Sequence, residues 1–237
     1  MANFNTHLTI ASIVSGAVVS MAYKAGVVGF KEMFYAWFLG VIGGILPDID
    51  SDNSAAVRLI FSLLGIFSIA CVLLFWSEQL SLIVLWGMCL AAFISVRFIL
   101  MEIFLHFTVH RGIFHSQIAA VTLCVTASTL FHLWYDALLS WFLAGMLLIG
   151  YLTHLLLDEL YSVDLTGARI KKSFGTALKP LDLGNPISSG SFLIVFVFFF
   201  WAAPPFKPVT KEFRQLAHTS FWLTEFDVKR MYRQMLR

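Results

Sequence analysis

Histidine and aspartate residues cluster in four short polar segments of an otherwise apolar sequence. The 237 residues include only seven histidines and 14 acidic residues, so clustering among so few is informative. Imidazole nitrogens and carboxylate oxygens are common ligands of divalent transition metals in proteins. The candidate metal ligands are His7, Asp48, Asp50, His110, His115, His154 and Asp158.

The most specific of these segments reads His110-Arg111-Gly112-Ile-Phe-His115-Ser116. Gly112 permits a tight turn that would aim both imidazole rings inward. The planar guanidinium of Arg111 matches phosphate oxygens, so Arg111 is the candidate catalytic residue, and a topology signal is the competing explanation. Ser116 fits best as the N-cap of the next helix, with a supporting role behind the ligands as the alternative.

The other three segments are weaker signals when each is taken singly. His154 and Asp158 are four residues apart and share a helix face, where they would bind one metal or hydrogen-bond to each other. Asp48 and Asp50 follow a proline in a pattern that is also common in turns. His7 precedes an apolar run, where a lone histidine is usually an interfacial residue.

Together, the four imidazoles and three carboxylates exceed the four ligands of one tetrahedral zinc. They fit two divalent transition-metal ions, zinc or manganese, about 3.5–4 Å apart. Such a pair lowers the pKa of a bound water and polarises an ester or phosphoryl oxygen. The residues predicted to support the ligands from behind are Glu102, His106, Asp52 and Ser116.

The composition places these residues in a membrane protein. Charged residues make up only 13% of the chain and hydrophobic residues 59%, whereas soluble domains are about 25% charged. Aromatic residues at 16% exclude a disordered chain. With a net charge of +2 and no basic cluster interleaved with aromatics, the chain is not expected to bind nucleic acid. Arg97 lies inside an apolar run, where a charge needs a partner or a route to the interface.

Helix-length apolar runs predict an all-α fold, a polytopic transmembrane bundle of six to seven hydrophobic segments. A full span needs about 20 residues, which runs three to six reach, while the shorter runs one and two are rich in small residues that allow close packing. We expect a metal-site domain at 1–190, a short spanning or re-entrant segment at 191–206, and a basic amphipathic tail at 207–237. The runs are 8–23, 33–46, 56–76, 80–105, 117–134, 137–157 and 191–203.

If the first six runs all cross the membrane, the four polar segments reach the same face. Short loops on that face carry six basic residues and the opposite loops carry two, which predicts a cytoplasmic metal site. If the seventh run also crosses, the basic tail joins the opposite face and the count becomes six against nine.

The four segments, in their order, resemble the LexA-regulated, inner-membrane-associated, metal-dependent hydrolase family of bacteria. The resemblance covers most of the first 180 residues. Its motifs are His7, Leu46-Pro47-Asp48-Ile49-Asp50, His110-Arg111-Gly112-x-x-His115-Ser116 and Gly150-Tyr151-x-x-His154-x-x-x-Asp158. It implies a multi-span protein of the bacterial inner membrane with a metal-dependent hydrolase site and no firm substrate. Phe114 departs from the threonine that many members carry before the second histidine.

The favoured hypothesis is a membrane-bound hydrolase that cleaves a phosphoester or lipid-like ester through a metal-activated water. Arg111 would stabilise negative charge, and a site at the bilayer interface favours an amphiphilic or phosphorylated substrate. A metal-ion or proton transporter could use the same residues, although transport sites usually lie near the membrane midplane. A third alternative is a structural membrane protein in which the metal only holds helices together. The pattern predicts no oligomeric state.

Overall fold

The computed structural model describes residues 3–50, 54–107, 112–164, 169–170, 178–182, 184 and 186–218. Over these residues the chain is an all-α bundle with one short two-stranded ribbon, which confirms the predicted fold class. Among the helices so described, four are long and apolar enough to cross a membrane, judged by length and composition. They are Phe4–Lys24, Ala55–Trp76, Leu82–Leu105 and Ala137–Leu160.

The first two helices form a hairpin, α1 (Phe4–Lys24) and α2 (Phe30–Gly43). Helix α1 begins before the apolar run because Asn3 caps it, its side chain accepting a hydrogen bond from the amide of Thr6 at 2.8 Å. The helix therefore reaches 21 residues, longer than the short first segment that hydropathy predicts. Gly26, with a φ of 75°, lies in the turn between the helices and tolerates this backbone conformation without strain.

A 3₁₀ turn and a long second hairpin follow. Ser54 caps the third helix by accepting a hydrogen bond from the amide of Val57 at 3.0 Å. The second arm of the hairpin is one continuous helical segment, in which a single π-helical turn replaces the α-helical hydrogen bonding. The elements are the 3₁₀ turn (Leu46–Asp50), α3 (Ala55–Trp76), α4 (Leu82–Ile94), the π turn (Ser95–Leu100) and α5 (Met101–Phe107).

Helix α6 is shorter than the sequence predicts. The fifth apolar run indicates a full span, but α6 covers only Gln117–Phe131, 15 residues. His132 is its C-cap, and Nδ1 of that ring lies 3.1 Å from the carbonyl oxygen of Tyr135. Leu133 and Trp134 in this turn are exposed. Apolar residues therefore continue past the end of the helix, and hydropathy does not mark where it stops.

The remaining elements complete the bundle. Helix α7 is capped by Asp136, whose carboxylate accepts a hydrogen bond from the amide of Leu139 at 3.0 Å. The two strands pair antiparallel, and the next helix starts at a proline, which suits the first position of a helix. The elements are α7 (Ala137–Leu160), β1 (Val163–Asp164), β2 (Arg169–Ile170), α8 (Pro186–Ala202) and α9 (Lys207–His218).

Helix α8 packs beside α6, where the hydroxyl of Thr129 donates a hydrogen bond to the carbonyl oxygen of Phe199 at 3.3 Å. At one end, the rings of Phe114 and Phe192 lie 5.6 Å apart, centroid to centroid. At the other end, the indole nitrogen of Trp141 donates a hydrogen bond to the carbonyl oxygen of Pro204 at 3.1 Å. Helix α8 therefore runs from the end of the bundle that holds His115 to the end where α7 begins, and α9 follows there.

Glycines bring α2 and α7 into direct backbone contact. A Cβ atom at Gly150 would lie 2.8 Å from the amide nitrogen of Gly44 and 2.9 Å from the carbonyl carbon of Gly40. A Cβ atom at Gly43 would lie 3.0 Å from the carbonyl carbon of Leu147. Backbone atoms occupy the space that any side chain would need. The small residues of the first two runs predict a tight first hairpin, and a Cβ atom at Gly40 would lie 2.7 Å from the Cβ of Ser15 on α1, which confirms it; the sequence did not predict the contact between α2 and α7.

Candidate metal centre

Five of the seven predicted ligands meet at one end of the bundle. His7 lies near the start of α1, and His154 and Asp158 lie near the end of α7. Asp48 belongs to the 3₁₀ turn, and His115 lies in the turn before α6. Four elements that are distant in sequence thus contribute to one cluster, which agrees with the predicted convergence of the polar segments on one face.

A backbone carbonyl fixes the orientation of the His154 ring. Its Nδ1 lies 2.8 Å from the carbonyl oxygen of Gly44, and because a carbonyl only accepts, Nδ1 carries the hydrogen. In the neutral ring, Nε2 therefore presents a lone pair, and this buried atom has no hydrogen-bond partner among the described residues. It faces carboxylate oxygens of Asp48 at 3.5 Å and Asp158 at 3.9 Å. A lone pair facing two carboxylates is repelled unless a cation lies between them.

The spacing of the rings favours a metal over protons as that cation. The rings of His7 and His154 are stacked, with centroids 3.7 Å apart and an interplanar angle of 13°. Two imidazolium charges at this separation would repel by about 4 kcal/mol at an effective dielectric constant near 20. Neutral imidazoles avoid this repulsion and are the form that binds metals.

The distances between the ligand atoms also suit a metal. A tetrahedral ion with bonds of about 2.0–2.1 Å separates its ligand atoms by about 3.3–3.4 Å. The contacts within the cluster run from 3.2 Å to 3.9 Å. In two groups of three residues, the potential ligand atoms all lie within 4.8 Å of one another. The groups are His7, Asp48 and His154, and His115, His154 and Asp158.

The carboxylate of Asp158 is divided between different histidines. Its Oδ1 lies 3.2 Å from Nε2 of His7, and its Oδ2 lies 3.8 Å from Nε2 of His115 and 3.9 Å from Nε2 of His154. The pair His154–Asp158 is thus too far apart to hydrogen-bond directly, which removes that alternative for the two residues. A carboxylate whose two oxygens contact different histidines can bridge two ions.

Asp48 is the most open member of the cluster. Its side chain is 19% exposed, whereas that of Asp158 is 2% exposed. Burial raises the pKa of Asp48, but hydrogen bonds and attraction to the protonated forms of His115 and His154 outweigh burial, so this pKa lies below its usual value. Asp48 is therefore ionised at neutral pH and marks the side from which solvent can reach the cluster.

Hydrogen bonds to α7 and to α6 hold the turn that carries His115. The hydroxyl of Tyr151 donates to the carbonyl oxygen of Phe114. The hydroxyl of Ser116 accepts a hydrogen bond from the amide of Ala119 at 3.4 Å, so Ser116 is the N-cap of α6, as predicted. The residues on both sides of His115 are thus anchored, and its ring is buried.

The other predicted site residues lie away from the cluster or outside the described part of the chain. Glu102 is exposed on α5 and makes no ion pair within the described part of the chain, so it is not brought to the cluster. Asp50 and His106 lie in the 3₁₀ turn and α5, but their side chains are outside the described part. The residues that lie outside the described ranges altogether are Asp52, His110 and Arg111.

Sequence reasoning missed the groups that orient the ligands. The carbonyl of Gly44 carries no side-chain signal, because any residue supplies a carbonyl oxygen. Tyr151 is one turn before His154 in the same motif, and that spacing could have indicated its role. Gly150 is required because α2 and α7 touch there, which only the packing of the two helices reveals.

The sequence model of the YdjM inner membrane protein family matches residues 1–223. The chain belongs to this family. The family description names an inner membrane protein, which agrees with the apolar helices of this YdjM protein. No curated protein and no solved structure matches the chain.

Proposed function

We propose that this YdjM protein is a membrane-bound, metal-dependent hydrolase that acts on a phosphoester or a lipid-like ester. The observation that carries the proposal is that His154 belongs to both groups of potential metal ligands. Buried ionisable groups are costly unless they are paired or coordinate a metal. Three imidazoles and two carboxylates gathered at one point from four elements are an arrangement that packing alone does not require.

The chain's own residues would divide the work of holding and opening the site. His7, His115 and His154 would supply nitrogen ligands, with the carbonyl of Gly44 keeping Nε2 of His154 toward the site. A divalent metal held there would lower the pKa of a bound water and polarise an ester or phosphoryl oxygen. Asp48, on the more exposed side, would face the entering substrate.

We propose two ions, zinc or manganese, as the metal content. Because Nδ1 of His154 is bonded to Gly44, this ring offers only Nε2 and can serve only one ion. The divided carboxylate of Asp158 supports a second ion, to which Asp50 and His110 would contribute. Arg111, next to His110 in sequence, would stabilise negative charge on a phosphoryl group.

The position of the cluster supports an amphiphilic substrate. His7 is the fourth residue of α1 and Asp158 lies two residues before the end of α7, so the site is at helix ends and not at mid-helix. This position also disfavours a transporter, since transport sites usually lie near the midplane. A substrate with a polar head and an apolar tail could present its ester there from the lipid phase.

We propose a multi-pass protein of the bacterial inner membrane with the site on the cytoplasmic side. The sequence predicts six basic residues near the helix ends on the side of the site and two near the opposite ends. Helix α8 leads the tail to that other side, and the positive-inside rule counts charges within about 15–20 residues of a span. Lys207, Lys211 and Arg214 then raise its count to five. Cysteines substituted at Ser51 and Lys211 and labelled from each side of the membrane test this orientation. A cysteine at position 51 that is labelled only from the outside refutes it.

The hydrolase proposal is tested by metal content and turnover measured on the same preparations. Purified full-length protein should contain at least one equivalent of transition metal and should release phosphate from dispersed phosphatidic acid or fatty acid from a neutral ester lipid. His154→Ala should lose both. His132→Ala is the matched control, because His132 is exposed at the opposite end of α6. Metal-loaded protein that hydrolyses no more ester than His154→Ala would refute the hydrolase while leaving the metal site intact.

The burial of the cluster favours one second candidate, a metal that only holds helices together. His115, His154 and Asp158 are nearly inaccessible, as in closed structural zinc sites. Under that function, metal removal would unfold the bundle and Asp48→Asn would leave no activity to lose. Turnover that falls in Asp48→Asn while the protein stays folded would favour the hydrolase.

A further inference from the structure

Arg97 is a charged residue in the membrane-spanning hairpin, far from the metal cluster's ligands in sequence. It belongs to the π turn within the 24-residue candidate span Leu82–Leu105. Arg97 is eight residues from the end of that span, about 12 Å along the helix at 1.5 Å per residue. Charges at such depth in a bilayer are rare and usually mark a functional site. π turns are likewise frequent at functional sites.

The guanidinium of Arg97 is oriented toward the end of the span. Its Nη1 lies 3.0 Å from the sulfur of Met101, one turn farther along the helix. Side chains of helices normally lean toward the N-terminus, so this one is directed the opposite way. An arginine that reaches along its helix toward the membrane surface is snorkelling.

A second contact fixes the other edge of the guanidinium. Nε of Arg97 donates a hydrogen bond to the hydroxyl of Ser62 on α3 at 3.0 Å. The Ser62 hydroxyl in turn donates a hydrogen bond to the carbonyl oxygen of Arg58 at 2.6 Å. This hydroxyl therefore both donates and accepts a hydrogen bond. The hydrogen-bonded chain holds the plane of the guanidinium against α3.

The remaining donors of Arg97 have no acceptor in the described part of the chain. A guanidinium has five N–H groups; one is bonded to Ser62 and one to the weakly accepting sulfur of Met101. The described residues provide no carboxylate within ion-pair distance of it. Three N–H groups in a planar fork match the oxygens of a phosphate.

Exposed apolar side chains lie beside Arg97 and on the neighbouring helix. The guanidinium carbon lies 5.1 Å from the ring centroid of Phe98, and Phe98 is 55% exposed. Leu59, on the neighbouring α3 helix, is also exposed. Because exposed apolar side chains in a candidate span face acyl chains, an anion that reaches Arg97 would arrive attached to a lipid.

We propose that Arg97, oriented by Ser62, binds the phosphate of an anionic phospholipid at the outer surface of the α3–α4 hairpin. The site would bind a phosphodiester headgroup that lies close to the hydrocarbon layer. The hydrogen bond to Ser62 sets the orientation of the Arg97 guanidinium. This site is independent of the proposed hydrolase, since none of the five clustered ligands takes part. Inorganic phosphate shares the chemistry and lacks the acyl chains.

Lipid binding to purified full-length protein in detergent tests this proposal. Native mass spectrometry with added phosphatidylglycerol should give an apparent affinity that falls about tenfold or more in Arg97→Gln, because a charged hydrogen-bonding group is lost. Lys31→Gln is the control, since it removes one exposed charge at the other end of the bundle. Inorganic phosphate at the same concentration should neither stabilise the protein nor displace the lipid.

Ser62→Ala keeps the charge and removes the contact that orients it, so it tests the site if Arg97→Gln fails to fold. It should weaken phosphatidylglycerol binding less than Arg97→Gln but more than Lys31→Gln. Equal lipid affinity in wild type and Arg97→Gln would overturn the proposal. Stabilisation by inorganic phosphate equal to that by lipid would also overturn it and assign a soluble anion instead.

Discussion

The contact between α2 and α7 makes a prediction about residue 150, which touches no metal ligand. A Cβ atom there would lie nearest to the carbonyl oxygen of Gly40 and 2.8 Å from the nitrogen of Gly44, and ordinary contact begins at 3.4 Å. Relieving the Gly44 contact alone moves the helices apart by 0.6 Å, the difference between these two distances, and the nearer Gly40 contact requires more. Overpacking of this kind costs about 1–3 kcal/mol.

The same displacement reaches His154, since its ring is bonded across the same pair of helices. Its Nδ1 lies 2.8 Å from the carbonyl oxygen of Gly44, and adding 0.6 Å gives 3.4 Å, beyond the usual range of about 2.7–3.2 Å. The ring then loses the bond that directs Nε2 inward. Loss of such an orienting partner lowers metal affinity by about 10- to 100-fold.

The assay compares Gly150→Ala with Gly145→Ala, a substitution of the same kind in the same helix. A Cβ atom at Gly145 meets nothing within 4 Å, so this control should keep the wild-type melting temperature and metal affinity. Thermal unfolding in detergent and a competition titration with a chelator measure the two quantities. If Gly150→Ala matches Gly145→Ala in both, the close approach of α2 and α7 does not position His154, and the reasoning is wrong.

Two further predictions concern the anchoring of the site and its cation. Tyr151→Phe leaves the carbonyl of Phe114 without its hydroxyl donor, so we expect the free energy of unfolding to fall by about 1–3 kcal/mol. Thermal unfolding measures this loss, with Tyr35→Phe as the exposed control. Equal melting temperatures of the two variants would show that this hydrogen bond does not anchor the His115 turn. Chelation should lower the melting temperature of the wild type, because the carboxylates facing His154 lose their cation, and added zinc should restore it. The melting temperature of His154→Ala should not respond to the chelator. An equal response in this variant would place the metal elsewhere.

Local patterns were sufficient to predict the helices and the chemistry of the site residues. A serine before an apolar run predicts a cap because its hydroxyl suits the free amides of a helix start, and Ser116 is one. The lengths that hydropathy predicts for α1 and α6 are wrong for a common reason. Hydropathy reports where apolar residues are, whereas Asn3 and His132 set the helix ends through hydrogen bonds.

The sequence by itself determined that this is a membrane-type helical protein and that polar segments would gather at one end, as five ligands in the described part of the chain do. Parity brings successive helix ends to alternating faces, so the positions of His7, His115 and His154 along the chain carry that information. Only the tertiary structure decided how His154 is oriented and what Arg97 contacts. The first depends on the close approach of α2 and α7 at glycines, and the second depends on a hydroxyl that α3 places beside the π turn.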